Sequence, residues 1–150
     1  MADGKLHRVF LDTSALFAVI WSETGGGCAI LQLGEAGAIQ ILCSSQVLSE
    51  LENAFREKAP EALSRLVLLI DAANIETSGP VPESIRKRAL RLIKYTADAE
   101  VLASAIMANV EYFVTLDRQH FLSNRKVKTA VSFVIGTPGD FLAWFRTKLT

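Results

Sequence analysis

Short apolar runs that stop at a polar residue, each followed by a helix-length amphipathic stretch, constrain most strongly what this chain can fold into. Arg8-Val9-Phe10-Leu11 reads as a buried strand that stops at Asp12, with Thr13 or Ser14 to cap a helix from Ala15 to Trp21. Ala38 to Cys43 is a second strand, and Ser44-Ser45 cap a helix whose Val47, Leu48, Leu51, Ala54 and Phe55 form an apolar stripe. Tyr112 to Leu116 is a strand ending at Asp117, and Ala130 to Ile135 is a last strand; Asn74 to Thr77 is a short strand candidate. Helical stretches fill the intervals. One runs from Cys28 to Glu35 after the break Thr24-Gly25-Gly26-Gly27, and one carries Leu63, Leu66, Val67 and Ile70 after Pro60. Another runs from Glu83 to Lys94 after Gly79-Pro80-Val81-Pro82, and another from near Asp98 to Asn109. A terminal helix contains Phe141, Trp144 and Phe145. Strands alternating with helices imply an α/β fold, with a mainly parallel central sheet flanked by helices on both faces. The chain has 150 residues and shows no repeat or linker, so residues 1–150 are expected to form a single domain.

Composition narrows the class further. Half of the chain is hydrophobic and 21% is charged, enough to bury a core and too apolar for disorder. No apolar stretch approaches the roughly 18 residues of a membrane span, and Met1 to His7 lacks the apolar centre of a secretory signal. Cys28 and Cys43 have no metal-ligand spacing and read as reduced, mostly buried thiols. A cytoplasmic protein is expected. Sixteen basic residues balance sixteen acidic ones, which argues against a passive nucleic-acid binder but not against an enzyme with its acids in one cleft.

Ligands of open parallel sheets bind outside the carboxyl ends of the strands. That rule selects Asp12 and Asp117. Asp12 fits either of two roles, helix cap or ligand, and Thr13 and Ser14 offer to take over the capping. Asp98 projects onto the same helix face as Val101, Leu102 and Ala105, among small residues, so it points inward; Glu100 points away. Asp117 also fits a turn role, and Glu50 lies at the border of its helix stripe. Glu52 serves as the ordinary surface acid for comparison. Were the four acids to meet, each close pair would repel by roughly 4 kcal/mol at 4 Å and an effective dielectric near 20. Only protonation or a bound cation relieves that, and an all-oxygen set suits Mg²⁺ or Mn²⁺.

The string Val9-Phe10-Leu11-Asp12-Thr13-Ser14-Ala15-Leu16 resembles the opening motif of PIN domains. Ser49-Glu50-Leu51 resembles the family's second acid, Asp98-Ala99 with Leu102-Ala103-Ser104-Ala105 its third, and Val114-Thr115-Leu116-Asp117-Arg118 with Phe121 its fourth. The resemblance covers about Arg8 to Ile135. It implies a PIN-like nuclease domain with its first strand near the sheet centre, and metal-dependent cleavage of RNA phosphodiesters. Asp12, Asp98 and Asp117 would then be the principal metal ligands and Glu50 would complete the site. Thr13, Ser14 and Thr115 would orient them by hydrogen bonds. Stand-alone domains of this size resemble VapC-type toxins, which implies a small antitoxin partner. A homodimer is implied as well, through the apolar surface of the second or fourth helix. His120 stands where many members of the family have Asp; it reads as an exposed loop histidine, with a phosphate contact or proton shuttle as the alternative.

Two basic clusters remain. Arg86, Lys87, Arg88, Arg91 and Lys94 read as a solvated helix face, whereas Arg118, Arg125, Lys126 and Lys128 follow Asp117, where they could grip RNA backbone. Two other α/β readings fare worse. A haloacid-dehalogenase-type phosphatase needs a second Asp two residues after Asp12, where Ser14 stands; a receiver domain needs adjacent early acids. A catalytically inactive PIN-like scaffold is the remaining alternative.

Overall fold

A computed structural model describes residues 6–21 and 26–149. Thr24 and Gly25 of the expected break, and Met1 to Lys5, lie outside the described residues. Five strands form one sheet: β1 (His7–Leu11), β2 (Ile39–Ser44), β3 (Glu76–Ser78), β4 (Tyr112–Val114) and β5 (Val134–Gly136). Their order is β3-β2-β1-β4-β5, and every pairing is parallel, so β1 is central as expected. Val9, Phe10 and Leu11 are fully buried because both faces of β1 are covered, which is why this strand is a continuous apolar run rather than an alternating one.

The helices are α1 (Thr13–Trp21), α2 (Gly26–Glu35), α3 (Ser45–Lys58), α4 (Leu63–Ala72), α5 (Glu83–Leu92), α6 (Thr96–Ala108), α7 (Arg125–Ala130) and α8 (Pro138–Lys148). Right-handed crossovers from β1 through β2 to β3 place α1, α2 and α3 on one face, where α8 joins α2. The long return from β3 to β4 places the paired helices α5 and α6 on the other. Helix α6 is sunk deepest: Ala99, Val101, Leu102, Ala103, Ser104 and Ala105 are all buried, which its run of small residues allows. It ends at Asn109 in the left-handed conformation, φ 55°, which Asn tolerates.

Local chemistry sets several boundaries. Ser44 caps α3, its Oγ accepting from the Val47 amide at 3.0 Å. Thr137 and Asp140 form a reciprocal capping box at the start of α8. Helix α7 is not apparent in the sequence; it is six residues long with Val127 as its one buried residue, so it has no periodicity to read. Its start comes instead from Asn124, which accepts from the Val127 amide. The last strand accordingly begins later than expected, at Val134.

An aromatic stack runs through the core. Phe113 of β4 lies parallel to Phe10 of β1 at 5.6 Å between centroids and meets Phe121 at 4.8 Å and Phe133 at 5.8 Å. Cys28 and Cys43 are free thiols, and burial pushes that of Cys43 up to about 12. The first basic cluster lies at the surface as expected, and two of its members also make hydrogen bonds there. Arg86 Nε bonds Glu100 at 2.6 Å and its Nη1 bonds Glu83 at 2.8 Å, while Arg88 donates to the Ala130 carbonyl at 2.8 Å. Glu100 is thereby the tie between α6 and α5. Among the described residues, no helix is long and apolar enough to cross a membrane.

Candidate metal centre

The site grows out of the β1–β4 pairing. Leu11 and Val114 are register partners, so the next residues of both strands emerge side by side at the carboxyl edge of the sheet. The Asp12 amide still donates to the Val114 carbonyl, and Thr115 holds on to β5 through the Gly136 carbonyl. Here the chain leaves β1 toward β2 on one side and leaves β4 toward β5 on the other, the switch point at which such sheets bind ligands.

Asp12 is only 4% exposed, and its carboxylate is heavily bonded. Oδ1 accepts from Ser14 Oγ at 2.7 Å and from the Ala15 amide at 2.9 Å, and Oδ2 accepts a short bond from Thr115 Oγ1. This corrects the expectation that Thr13 or Ser14 relieves Asp12 of capping. Asp12 itself caps α1 through one oxygen, and Ser14 braces it. Ser14 and Thr115 both act twice. Ser14 Oγ also accepts from the Leu116 amide at 3.0 Å, and Thr115 Oγ1 accepts from the Asp117 amide at 3.0 Å. The β1 motif and the β4 motif are thus stitched together hydroxyl by hydroxyl. Thr13 lines the cleft beside them.

Beyond Thr115 the chain winds into one π-helical turn, Arg118–Leu122. Asp117 caps it, with Oδ1 accepting from the His120 amide at 3.0 Å. The same turn returns the His120 side chain to Asp117, and Phe121, buried against Phe113, anchors it. His120 Nδ1 lies 2.9 Å from Asp117 Oδ2 and 2.9 Å from Asp98 Oδ2. The histidine side chain is 22% exposed. His120 is therefore not an exposed loop residue. It sits between two of the site acids, and its Nε2 is buried without a hydrogen-bond partner. The signal that could have found it is its i+3 spacing from Asp117, which returns a side chain to the same side of a helical turn.

Asp98 enters from the first turn of α6, directed inward as expected, and its neighbour Val101 lines the same cleft. Asp12, Asp98 and Asp117 share this cleft of about 560 Å³ with Thr13, Ser14 and apolar walls that include Phe17, Leu116 and Phe121. Burial, and secondarily the charge of Asp117, raise the carboxyl of Asp98 above its ordinary value of 3.8, with His120 pulling the other way. Burial also raises Asp12, against the hydrogen bonds from Thr115, Ala15 and Ser14. Glu50 is not brought to this cluster: it is exposed on α3, bonded to Gln46 at 3.2 Å, and is not among the residues lining the cleft.

Donor atoms of Asp98, Asp117 and His120 all lie within 4.8 Å of one another. His120 Nδ1 reaches one oxygen of each carboxylate at 2.9 Å, so the three donors face a common point. The donor set thus fits a small divalent cation. Arg118, Arg125 and Lys126 are exposed on the π-turn and α7 that follow Asp117.

Comparison with known proteins agrees with this fold. The family model described as PIN domain matches residues 8–119. No curated protein matches the sequence. Among solved structures, the chain is similar to VapBC2 from Rickettsia felis, crystallised bound to a DNA fragment from its promoter. That match has 19% identity and a TM-score of 0.63, covering 85% of this chain and 96% of that one. It is also similar to PAE2754 from Pyrobaculum aerophilum, with 17% identity and a TM-score of 0.54, covering 92% of this chain and 96% of that one. These two likenesses concern the fold. The family model spans more than half of the sequence and contains Asp12, Glu50, Asp98 and Asp117, so the chain belongs to the PIN-domain family.

Proposed function

We propose that this protein is a metal-dependent endoribonuclease, the toxin of a toxin–antitoxin pair, and that Asp12, Asp98 and Asp117 hold Mg²⁺ or Mn²⁺. The observation that carries the reading is the meeting of acids from β1, α6 and β4 at one cleft on the carboxyl edge of a PIN-family sheet. Asp98 and Asp117 offer oxygens within 4.8 Å of each other, a repulsion that a bound cation relieves. When bound, the cation supplies an activated water and a counter-charge for phosphate oxygens. Ser14 and Thr115 hold the Asp12 carboxylate in one orientation, so no reorganisation is needed when substrate arrives. The apolar wall of Phe17, Leu116 and Phe121 excludes water from one side of the cleft. Glu50, exposed on α3 and bonded to Gln46, has no ligand role in this reading.

The test is a Mn²⁺ titration of the purified protein beside its Asp12→Asn and Glu52→Gln variants, followed by an RNA cleavage screen. Saturable binding weakened by Asp12→Asn and untouched by Glu52→Gln supports the reading. Absent or equal binding by all three proteins sinks it in favour of an inactive PIN scaffold.

RNA is held, in this reading, by the cations beside the cleft. Arg118→Ala and Arg125→Ala are each expected to weaken RNA binding and to reduce the slope of log affinity against log salt by about 1. A slope unchanged in both variants would remove these residues from the substrate path. The likeness to the VapBC2 complex supports a small antitoxin as partner. Val67 and Leu68, exposed on α4, offer an apolar patch for a homodimer contact.

A further inference from the structure

We propose that His120 is itself a ligand of the cation, through Nδ1, and that the resulting carboxylate–carboxylate–imidazole set tunes the site toward Mn²⁺ and away from Mg²⁺. The inference rests on the metal-site reading above and specifies its ligands. Three observations carry it.

The first is position. Nδ1 stands at the same 2.9 Å from carboxylate oxygens of two different elements, α6 and the end of β4. A histidine that merely paired with one acid would meet one.

The second is the state of the ring. Nε2 is buried with no hydrogen-bond partner, so nothing ties the ring from its far side. It is oriented instead from around the ring. Its amide is tied to Asp117 Oδ1, Asn124 Nδ2 bonds its carbonyl at 3.0 Å, and the half-exposed Tyr95 ring lies against it at 4.4 Å. That scaffolding holds the ring so that Nδ1 faces the Asp98 and Asp117 carboxylates.

The third is the chemistry of the donors. Imidazole nitrogen is a common ligand for transition metals and an uncommon one for Mg²⁺, which prefers oxygen and retains its waters. Exchanging one oxygen donor for nitrogen therefore raises the affinity for Mn²⁺ relative to Mg²⁺. Asp12 does not alter this discrimination, because it offers only oxygen.

The experiment is pulsed EPR of the Mn²⁺-loaded protein, with paired Mn²⁺ and Mg²⁺ titrations of the wild type, His120→Ala and His120→Asp. Thermal melts establish that the variants fold. The wild type is expected to show nitrogen modulation of the Mn²⁺ signal, which both variants lose. His120→Ala is expected to weaken Mn²⁺ at least about tenfold and Mg²⁺ less. His120→Asp, which restores an oxygen donor, should narrow the preference for Mn²⁺ over Mg²⁺ by roughly tenfold. Mn²⁺ bound without nitrogen modulation, yet still lost in Asp98→Asn, would overturn the role of His120 and leave the carboxylate site standing. No Mn²⁺ binding by the folded wild type would overturn both.

Discussion

Asp98→Asn is expected to weaken Mn²⁺ binding by more than about 100-fold and to abolish metal-dependent cleavage, while the metal-free protein melts at a higher temperature than the wild type. The first part follows from magnitude: losing a group that only orients a ligand costs ~10–100-fold in metal affinity, and Asp98 is placed to be a ligand itself. The second part follows from the sign of its titration. Burial first, and the charge of Asp117 second, raise the Asp98 carboxyl above 3.8 despite the opposing pull of His120. The folded state therefore favours the neutral form. Its contribution to stability is complete below pH 3.8 and is lost as pH rises through the raised folded value. Asn is neutral at every pH, and its side-chain oxygen can still accept from His120. Metal-free wild type should thus lose stability across that window, by Asp98 and by the similarly raised Asp12, and Asp98→Asn should flatten the decline. Thermal melts in EDTA at several pH values check this. A lower melting temperature for the variant at neutral pH would show that the acids do not strain the metal-free fold.

Phe113→Ala should cost about 3–5 kcal/mol, a large share of the 5–15 kcal/mol by which such a domain is folded. Phe113 is fully buried on β4 and touches the rings of Phe10, Phe121 and Phe133, so its removal leaves a cavity that three aromatic side chains cannot all relax to fill. Two of those contacts bear on function. Phe10 belongs to the strand that presents Asp12, and Phe121 anchors the π-turn that presents His120. Mn²⁺ affinity should therefore fall along with stability, although no ligand is touched. Urea unfolding with an unchanged m-value reads the first effect, and titration at a temperature where the variant remains folded reads the second. A loss below 1 kcal/mol would mean that the core collapses around the gap.

How much of this was legible beforehand depends on the range of the interaction concerned. The alternation of apolar runs with amphipathic stretches required a parallel sheet with helices on both faces. Polar residues at strand ends identified Asp12 and Asp117, because the rule that sites lie beyond the carboxyl ends of strands needs only the element order. The inward direction of Asp98 was likewise readable from helical periodicity, and Ser44 as a cap from its position before a stripe.

What only the tertiary structure decided lies where distant segments meet. The double use of Ser14 and Thr115 arises because β1 and β4, a hundred residues apart, are neighbours in register. The capping of α1 by Asp12, rather than by the hydroxyls beside it, follows from the same neighbourhood, since Ser14 is turned toward the Leu116 amide. His120 read as a loop residue because a single π-turn has no sequence period, and its place between Asp98 and Asp117 depends on α6 arriving from the far side of the sheet. Glu50, at the border of its helix stripe, was placed in the site by the family resemblance alone, and it is exposed. Periodicity and turn chemistry act within a few residues and are written in the chain directly, whereas a binding site is a coincidence of segment ends, which exists only once the sheet has chosen its strand order.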